Sequence, residues 1–350
     1  MRWSYLFRLS VVLAIAVSGP ATLRDVADRA GILVGTAVRP TLFSEAAYSE
    51  TLGHEFNMVE PEDAMKWWTI RHEKDSFDFH EGDEIVRFAQ AHRMKVRGHC
   101  LIWDHDNPKW LADGQFTPAQ LAQIMHEHIS IVMKHYAGQV FAWDVVNEAL
   151  NEDGTFKDSI WYNKPGVGLA GKGSAYLERT FRWAHEADPK ALLFYNENGS
   201  EGAGKKSDAV YATVKDFRER GVPIDGVGLQ MHIGGLDYDT EAVRANIARL
   251  TALGLQVHIT ELDVSLPVDE RGIARPQDLE RQAAVYRGVV HACLQNPACT
   301  AIQTWGFTDK WSWIGSHSHH TRGAALPFDG TYKPKPAYAA MLEEIAGRAK

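Results

Sequence analysis

The chain has 350 residues, 45% of them hydrophobic and 23% charged, which is enough apolar material for one large α/β barrel or two ordinary domains. A formal net charge of −8 provides no basic field. That argues against a nucleic-acid backbone or an anionic membrane as partner and fits neutral substrates.

At the N-terminus, Arg2 and Arg8 precede the apolar run LSVVLAIAV (Leu9 to Val17), and Ser18, Gly19, Pro20 and Ala21 follow it. A basic start, a short apolar stretch and small residues predict a secretory signal over 1–21 and a secreted or periplasmic protein. The run is shorter than the ~20 apolar residues of a membrane span.

Eight apolar runs then recur along the chain: GILVGTAV (31–38), HEFNMV (54–59), KVRGHCLIW (95–103), VFAWDVVNE (140–148), ALLFYNE (191–197), IDGVGLQMH (224–232), LQVHITELD (255–263) and TAIQTWGF (300–307). Each suits a strand of a parallel sheet, which is buried on both faces. Helix signals lie between them. Thr117-Pro118-Ala119-Gln120 supplies a cap, an N1 proline and a capping-box glutamine. Gly221 and Gly254 stand where helices over Asp208 to Arg220 and Glu241 to Leu253 should close, and Leu279 to Leu294 carries the same apolar spacing. Strand and helix alternate at roughly 40-residue spacing, which predicts a single (β/α)₈ barrel over 22–350. A doubly wound open sheet is second, because no glycine-rich phosphate turn follows the first strand.

In such a barrel, apolar residues fill the interior and polar residues at the C-terminal strand ends face the mouth. The ends here carry Glu62 and Lys66, His99, Asn147 and Glu148, Asn196, Gln230 and His232, Glu261 and Asp263, and Trp305. Glu148 and Glu261 close the fourth and seventh strands, on opposite sides of the mouth. Paired carboxylates suit glycoside hydrolysis, one protonating the leaving oxygen and the other attacking or stabilising the sugar carbon, with no cofactor or metal. The acid is expected to keep its proton near neutral pH through burial or a nearby negative charge. His232 is a partner for Glu261, and Asp263 orients its ring. Trp67, Trp68, Trp103, Trp110, Trp305, Trp311 and Trp313 fall in or after strand ends, where indoles could stack on pyranose rings. Asp104-His105-Asp106 and His317 to His320 raise metal-dependent hydrolysis, but neither places two ligands on one rigid element.

Cys293 and Cys299 flank a turn containing Asn296 and Pro297, and an oxidising compartment would allow them to pair. Cys100 has no partner and reads as a buried thiol.

These residues resemble glycoside hydrolase family 10, the retaining endo-β-1,4-xylanases. FNMVEPEDAMKW, VRGHCLIW, WDVVNEAL, DGVGLQMHI, HITELDV, TWGFTDKWSWI and YKPKPAY carry the resemblance, in order along nearly the whole mature chain. It implies a monomer acting on xylan, with Glu148 as acid/base and Glu261 as nucleophile. It further implies support from Asn147, Gln230, His232 and Asp263, and substrate contacts from Glu62, Asp63, Lys66, His99, Trp103, Trp305 and Trp313. The Cys293–Cys299 pair matches a disulfide of many members. The carboxyl groups of such a retaining pair stand about 5–5.5 Å apart.

The chain departs from the pattern at Glu60 (usually Thr), Asp63 (usually Asn), Asp104, His105 and Asp106 (usually His, Ser and Gln), and in NENG (usually NDYN). These changes remove donors and add negative charge on the glycone side, so altered glycone specificity within the same family is the nearest alternative. A barrel that only binds polysaccharide is the alternative of another class.

Overall fold

The apolar runs become strands because β-branched and aromatic residues pack on both faces of a closed sheet. A computed structural model describes residues 21–348, so residues 1–20 of the predicted signal segment lie outside the described residues. Eight parallel strands are β1 (Leu33–Val38), β2 (Met58–Pro61), β3 (Lys95–Gly98), β4 (Ala142–Asn147), β5 (Leu192–Glu197), β6 (Gly226–Leu229), β7 (Gln256–Val264) and β8 (Cys299–Thr304). Each pairs with the next, and β8 closes on β1 with Leu33 opposite Ala301 and Gly35 opposite Gln303. The (β/α)₈ barrel expected from the sequence is thus the observed fold.

Helices Ala46–Glu55, His80–Ala91, Pro118–His135, Ala175–Ala187, Lys205–Glu219, Thr240–Thr251, Pro276–Leu294 and Pro336–Arg348 follow the strands in turn. The cap signals act as read. Thr117 accepts from the Gln120 amide and Gln120 answers the Thr117 amide, while Gly221 and Gly254 adopt φ of 64° and 77°. No helix among the described residues is long and apolar enough to cross a membrane.

Two expectations change. The second apolar run predicts a strand from His54, but His54 and Glu55 end the preceding helix and β2 starts at Met58. Apolar residues were also expected to fill the barrel. Instead Glu60, Arg97, Asp144, His258 and Gln303, from β2, β3, β4, β7 and β8, lie at most 1% exposed and bond to one another. Arg97 reaches Asp144 on the neighbouring strand and His258 Nδ1 at 2.7 Å on the far side of the barrel, which only inward-pointing side chains can do. The apolar residues that alternate with them, such as Val59, Val96 and Val257, point outward to the helices.

Cys293 and Cys299 form a disulfide with a Cα separation of 5.3 Å, which ties the end of helix Pro276–Leu294 to the start of β8. Cys100 is buried and free.

Candidate active site

The C-terminal strand ends surround a cleft of about 540 Å³ lined by Glu62, Asp63, Lys66, His99, Trp103, His105, Asp106, Asn147, Glu148, Asn198, Gln230, His232, Glu261, Trp305, Trp313 and His317. Every predicted site residue except Asp263 lines it, and Asp263 lies directly behind His232. Trp103, Trp305 and Trp313 line the cleft as expected of sugar platforms. Trp67 does not, because it is core: it is 3% exposed and stacks on His128. Trp110 is half-buried and bonds the Arg71 carbonyl, while Trp68 and Trp311 are exposed outside the cleft lining.

The two carboxylates are placed differently. Glu148 follows the last residue of β4 with φ of 56°, a left-handed conformation that side chains seldom adopt and that clusters at functional sites. Glu261 sits within β7, which runs on to Val264 instead of stopping at the carboxylate.

A chain of amides joins them. Gln230 Nε2 donates to Glu148 Oε1 at 3.0 Å and to Asn147 Oδ1 at 3.2 Å. Asn196 Nδ2 donates to Asn147 Oδ1 at 2.8 Å and to Glu261 Oε1 at 2.7 Å. Asn147 Oδ1 is occupied by these two donors, and its NH₂ group donates to Glu148 Oε1 at 3.4 Å, which leaves its second hydrogen for a ligand. Asn196 is held by Thr260 Oγ1, which donates to its carbonyl at 2.8 Å. Gly228 gives that amide its room, since a Cβ there would fall 2.1 Å from Asn196 Oδ1.

The second oxygen of Glu261 faces His232 Nε2 at 3.0 Å, and His232 Nδ1 faces Asp263 Oδ2 at 2.9 Å. A ring with a carboxylate at each nitrogen donates from both only as imidazolium. Burial opposes that charge, but Asp263 and Glu261 outweigh it and hold the His232 pKa well above its ordinary value. Trp313 Nε1 also donates to Asp263 Oδ2, at 2.8 Å.

Glu148 contradicts one expectation. Burial does push its pKa up, but Gln230, the Lys157 ammonium 3.5 Å from Oε2, Trp103 Nε1 at 3.3 Å and His99 together hold it below the ordinary glutamate range. Neighbouring positive charge and N–H donors, absent from the sequence argument, decide the direction.

On the glycone side, Arg39 grips Glu62 through two bonds of 2.7 and 2.5 Å. Lys66 Nζ lies 2.9 Å from Asp63 and 3.6 Å from Asp106, over the Trp103 ring at 4.8 Å. The two departures from the usual pattern therefore converge on one lysine, which is kept protonated although burial opposes it. His99 Nδ1 bonds Asp144 Oδ2 at 3.0 Å. Glu60, His99 and Asp144 bring three potential metal-ligating atoms within 4.8 Å of one another. The Asp144 oxygens already serve Arg97 and His99, and Gln303 bonds Glu60, so an arginine occupies the role a cation would take.

Sequence reasoning missed the roles of Asn196 and Lys157. Asn196 was visible as a polar strand end, whereas Lys157 sits in an irregular connection that gave no signal.

Residues 22–344 match the model of glycosyl hydrolase family 10. Endo-1,4-beta-xylanase B of Thermotoga neapolitana is 40% identical over 94% of this chain and 92% of its own length. Endo-1,4-beta-xylanase D of Talaromyces funiculosus is 38% identical over 95% and 80%. The crystal structure of xylanase 10B from Thermotoga maritima superposes with a TM-score of 0.88 at 39% identity, covering 94% of this chain and 99% of that one. Xylanase 10B from Thermotoga petrophila RKU-1 in complex with xylobiose gives 0.89 at 38% identity, covering 95% and 99%. With its barrel, its paired carboxylates and these relatives in agreement, the chain belongs to glycosyl hydrolase family 10.

Proposed function

We propose that the protein is a retaining endo-1,4-β-xylanase that cuts internal bonds of xylan by double displacement, with Glu261 as nucleophile and Glu148 as acid/base. The observation that carries this assignment is the difference between the carboxylates. Glu261 receives a bond on each oxygen, from Asn196 and from a protonated His232, which fixes its carboxylate in place. Glu148 lies at the opposite end of the amide chain, beside Trp103.

In the first step a Glu261 oxygen bonds to the anomeric carbon as the C1–O bond breaks, and the Glu148 proton passes to the departing oxygen. In the second, Glu148 takes a proton from water, the water oxygen bonds to C1, and the Glu261 ester breaks. Two inversions give net retention. The second hydrogen of the Asn147 NH₂, not used on Glu148, is suited to the sugar 2-hydroxyl, a bond that strengthens as positive charge grows on the ring. Trp305, Trp103 and Trp313 offer faces for xylose rings, and Glu62, Asp63, Lys66 and His99 offer polar contacts on the glycone side.

Glu261→Ala should abolish xylan cleavage, and azide should restore turnover of an activated aryl xylobioside with inverted product. Net inversion by the wild-type enzyme would overturn the mechanism. We further propose that residues 1–21 are a secretory signal and that the mature protein is a secreted or periplasmic monomer. The family match beginning at residue 22 and the disulfide support this, and the mass of the mature protein and its sedimentation test it.

A further inference from the structure

Asn147 ends β4, and the chain after Glu148 turns back on itself. Leu150 pairs antiparallel with Phe156, the Asn151 amide donates to Thr155 O at 2.8 Å, and the Lys157 amide donates to Ala149 O at 2.9 Å. Asp153 Oδ1 accepts from the Thr155 amide and hydroxyl, which fixes the tip. Lys206, 3% exposed, bonds Glu152 on the same tip at 3.0 Å and Asn198 on the cleft wall. The hairpin therefore returns Lys157 to the side of Glu148 in a set position.

Among the described residues, Glu148 is the only carboxylate within 4.0 Å of Lys157 Nζ, and Lys157 the only ammonium or guanidinium within that distance of Glu148. The lysine faces Oε2, while Gln230 and Asn147 face Oε1. It shares a small recess with Trp103, Asp104, Trp161 and Tyr176, and is not among the residues lining the main cleft.

We propose that Lys157 is a positioning residue for the acid/base, whose ammonium stabilises the Glu148 carboxylate left behind when the proton passes to the departing sugar oxygen. This rests on the assignment of Glu148 above. The proton leaves the Glu148 O–H, the C1–O electron pair goes to the leaving oxygen, and the new carboxylate keeps the ammonium 3.5 Å away. In the second step the same carboxylate takes a proton from water.

The other basic groups are engaged elsewhere, and only His99 adds a smaller lowering to that of Lys157. His99 belongs to Asp144, His232 to Glu261 and Asp263, and Lys66 to Asp63 and Asp106. Glu197 and Glu148 oppose one another's charge, and Asp104 lines the same recess. Lys157 makes the acid stronger at the cost of its protonated fraction. The depressed Glu148 pKa agrees with this and moves the alkaline limb of activity toward lower pH.

The test is the pH profile of kcat/KM on a xylo-oligosaccharide for wild type, Lys157→Met and Lys157→Arg. Lys157→Met should move the alkaline limb to higher pH and retain roughly two- to fivefold more of its plateau activity beyond the wild-type limb, the scale of a partly exposed ion pair. It should also lower the plateau, and Lys157→Arg should restore the wild-type profile. On 2,4-dinitrophenyl xylobioside, whose leaving group departs without a proton, the limb should be missing from wild type and Lys157→Met alike. An unmoved limb in a folded Lys157→Met, or a limb that moves equally in Lys157→Arg, would overturn the proposal. Glu148→Ala separates the two levels. If it keeps the alkaline limb, the acid/base assignment itself fails. If it loses the limb while Lys157→Met leaves it in place, only the role of Lys157 fails.

Discussion

Replacing Glu60 by glutamine should stabilise the protein at neutral pH and leave it unchanged in acid. Glu60 lies in β2 with no exposed surface. One carboxyl oxygen accepts from Gln303 Nε2, and the other has no hydrogen-bond donor. His99 Nδ1, at 3.4 Å, and Arg97 Nε, at 3.9 Å, both turn to Asp144 instead. Burial first, then the Asp144 charge, raise the Glu60 pKa well above 4.5 despite Arg97. The folded state therefore keeps a proton that the unfolded chain has lost, and stability falls as pH rises from about 4.5 through the raised folded pKa. Glutamine carries no such linkage. Its oxygen can still accept from Gln303, and its NH₂ fills the place of the unmatched oxygen, facing Asp144. The gain at pH 7 is on the order of 1–3 kcal/mol, the cost of a buried polar group left unmatched. At about 2.1 cal/mol/K of unfolding entropy per residue, that is an upward shift in Tm of roughly 1–4 °C. Calorimetry at pH 7 and pH 4 on both proteins measures it. A Glu60→Gln protein less stable at pH 7, or one with the same gain at both pH values, would refute the reasoning.

Asn196→Ala removes the amide that donates to Glu261 Oε1 and should lower kcat by about 10- to 100-fold, the equivalent of one charge-assisted bond, with little change in KM on xylo-oligosaccharides. Reducing the Cys293–Cys299 bond opens a loop of sequence separation 6 and should lower stability by about 2 kcal/mol. It should leave kcat unchanged, because Cys299 begins β8 whereas the cleft lies at the other ends of the strands, and thermal melts with and without a thiol reductant check this.

The parts of the fold that were legible are those where one local rule decides. The capping box at Thr117 and the glycines at 221 and 254 act through backbone groups a few residues away, so sequence suffices. Glu148 and Glu261 were legible for a related reason, since a carboxylate late in an apolar strand has few places to go but the barrel mouth. The polar interior was missed although it left a mark. Each of the runs MVEP, KVRG, AWDVV, QVHI and AIQT carries a polar residue, Glu60, Arg97, Asp144, His258 or Gln303, directly after an apolar one. Read one at a time they look like accidents of a buried strand. Read as five strands of one closed barrel they must converge, because the period of two turns all of them inward.

The state of Glu148 was not legible for a different reason. Burial of a carboxyl is a property of its own strand, and by itself it predicts a raised pKa. The opposing groups come from Trp103 in the loop after β3, from Gln230 beyond β6 and from a hairpin that departs and returns within ten residues. None has a fixed sequence offset that would mark it as a neighbour. The same applies to Asp63 and Asp106. As isolated changes they add negative charge to the glycone side, but folded they meet at Lys66, and the charge a sugar would meet there is that of the group of three. Two carboxylates around one ammonium leave a net single negative charge, so the glycone side repels an acidic substituent less strongly than the bare substitutions imply.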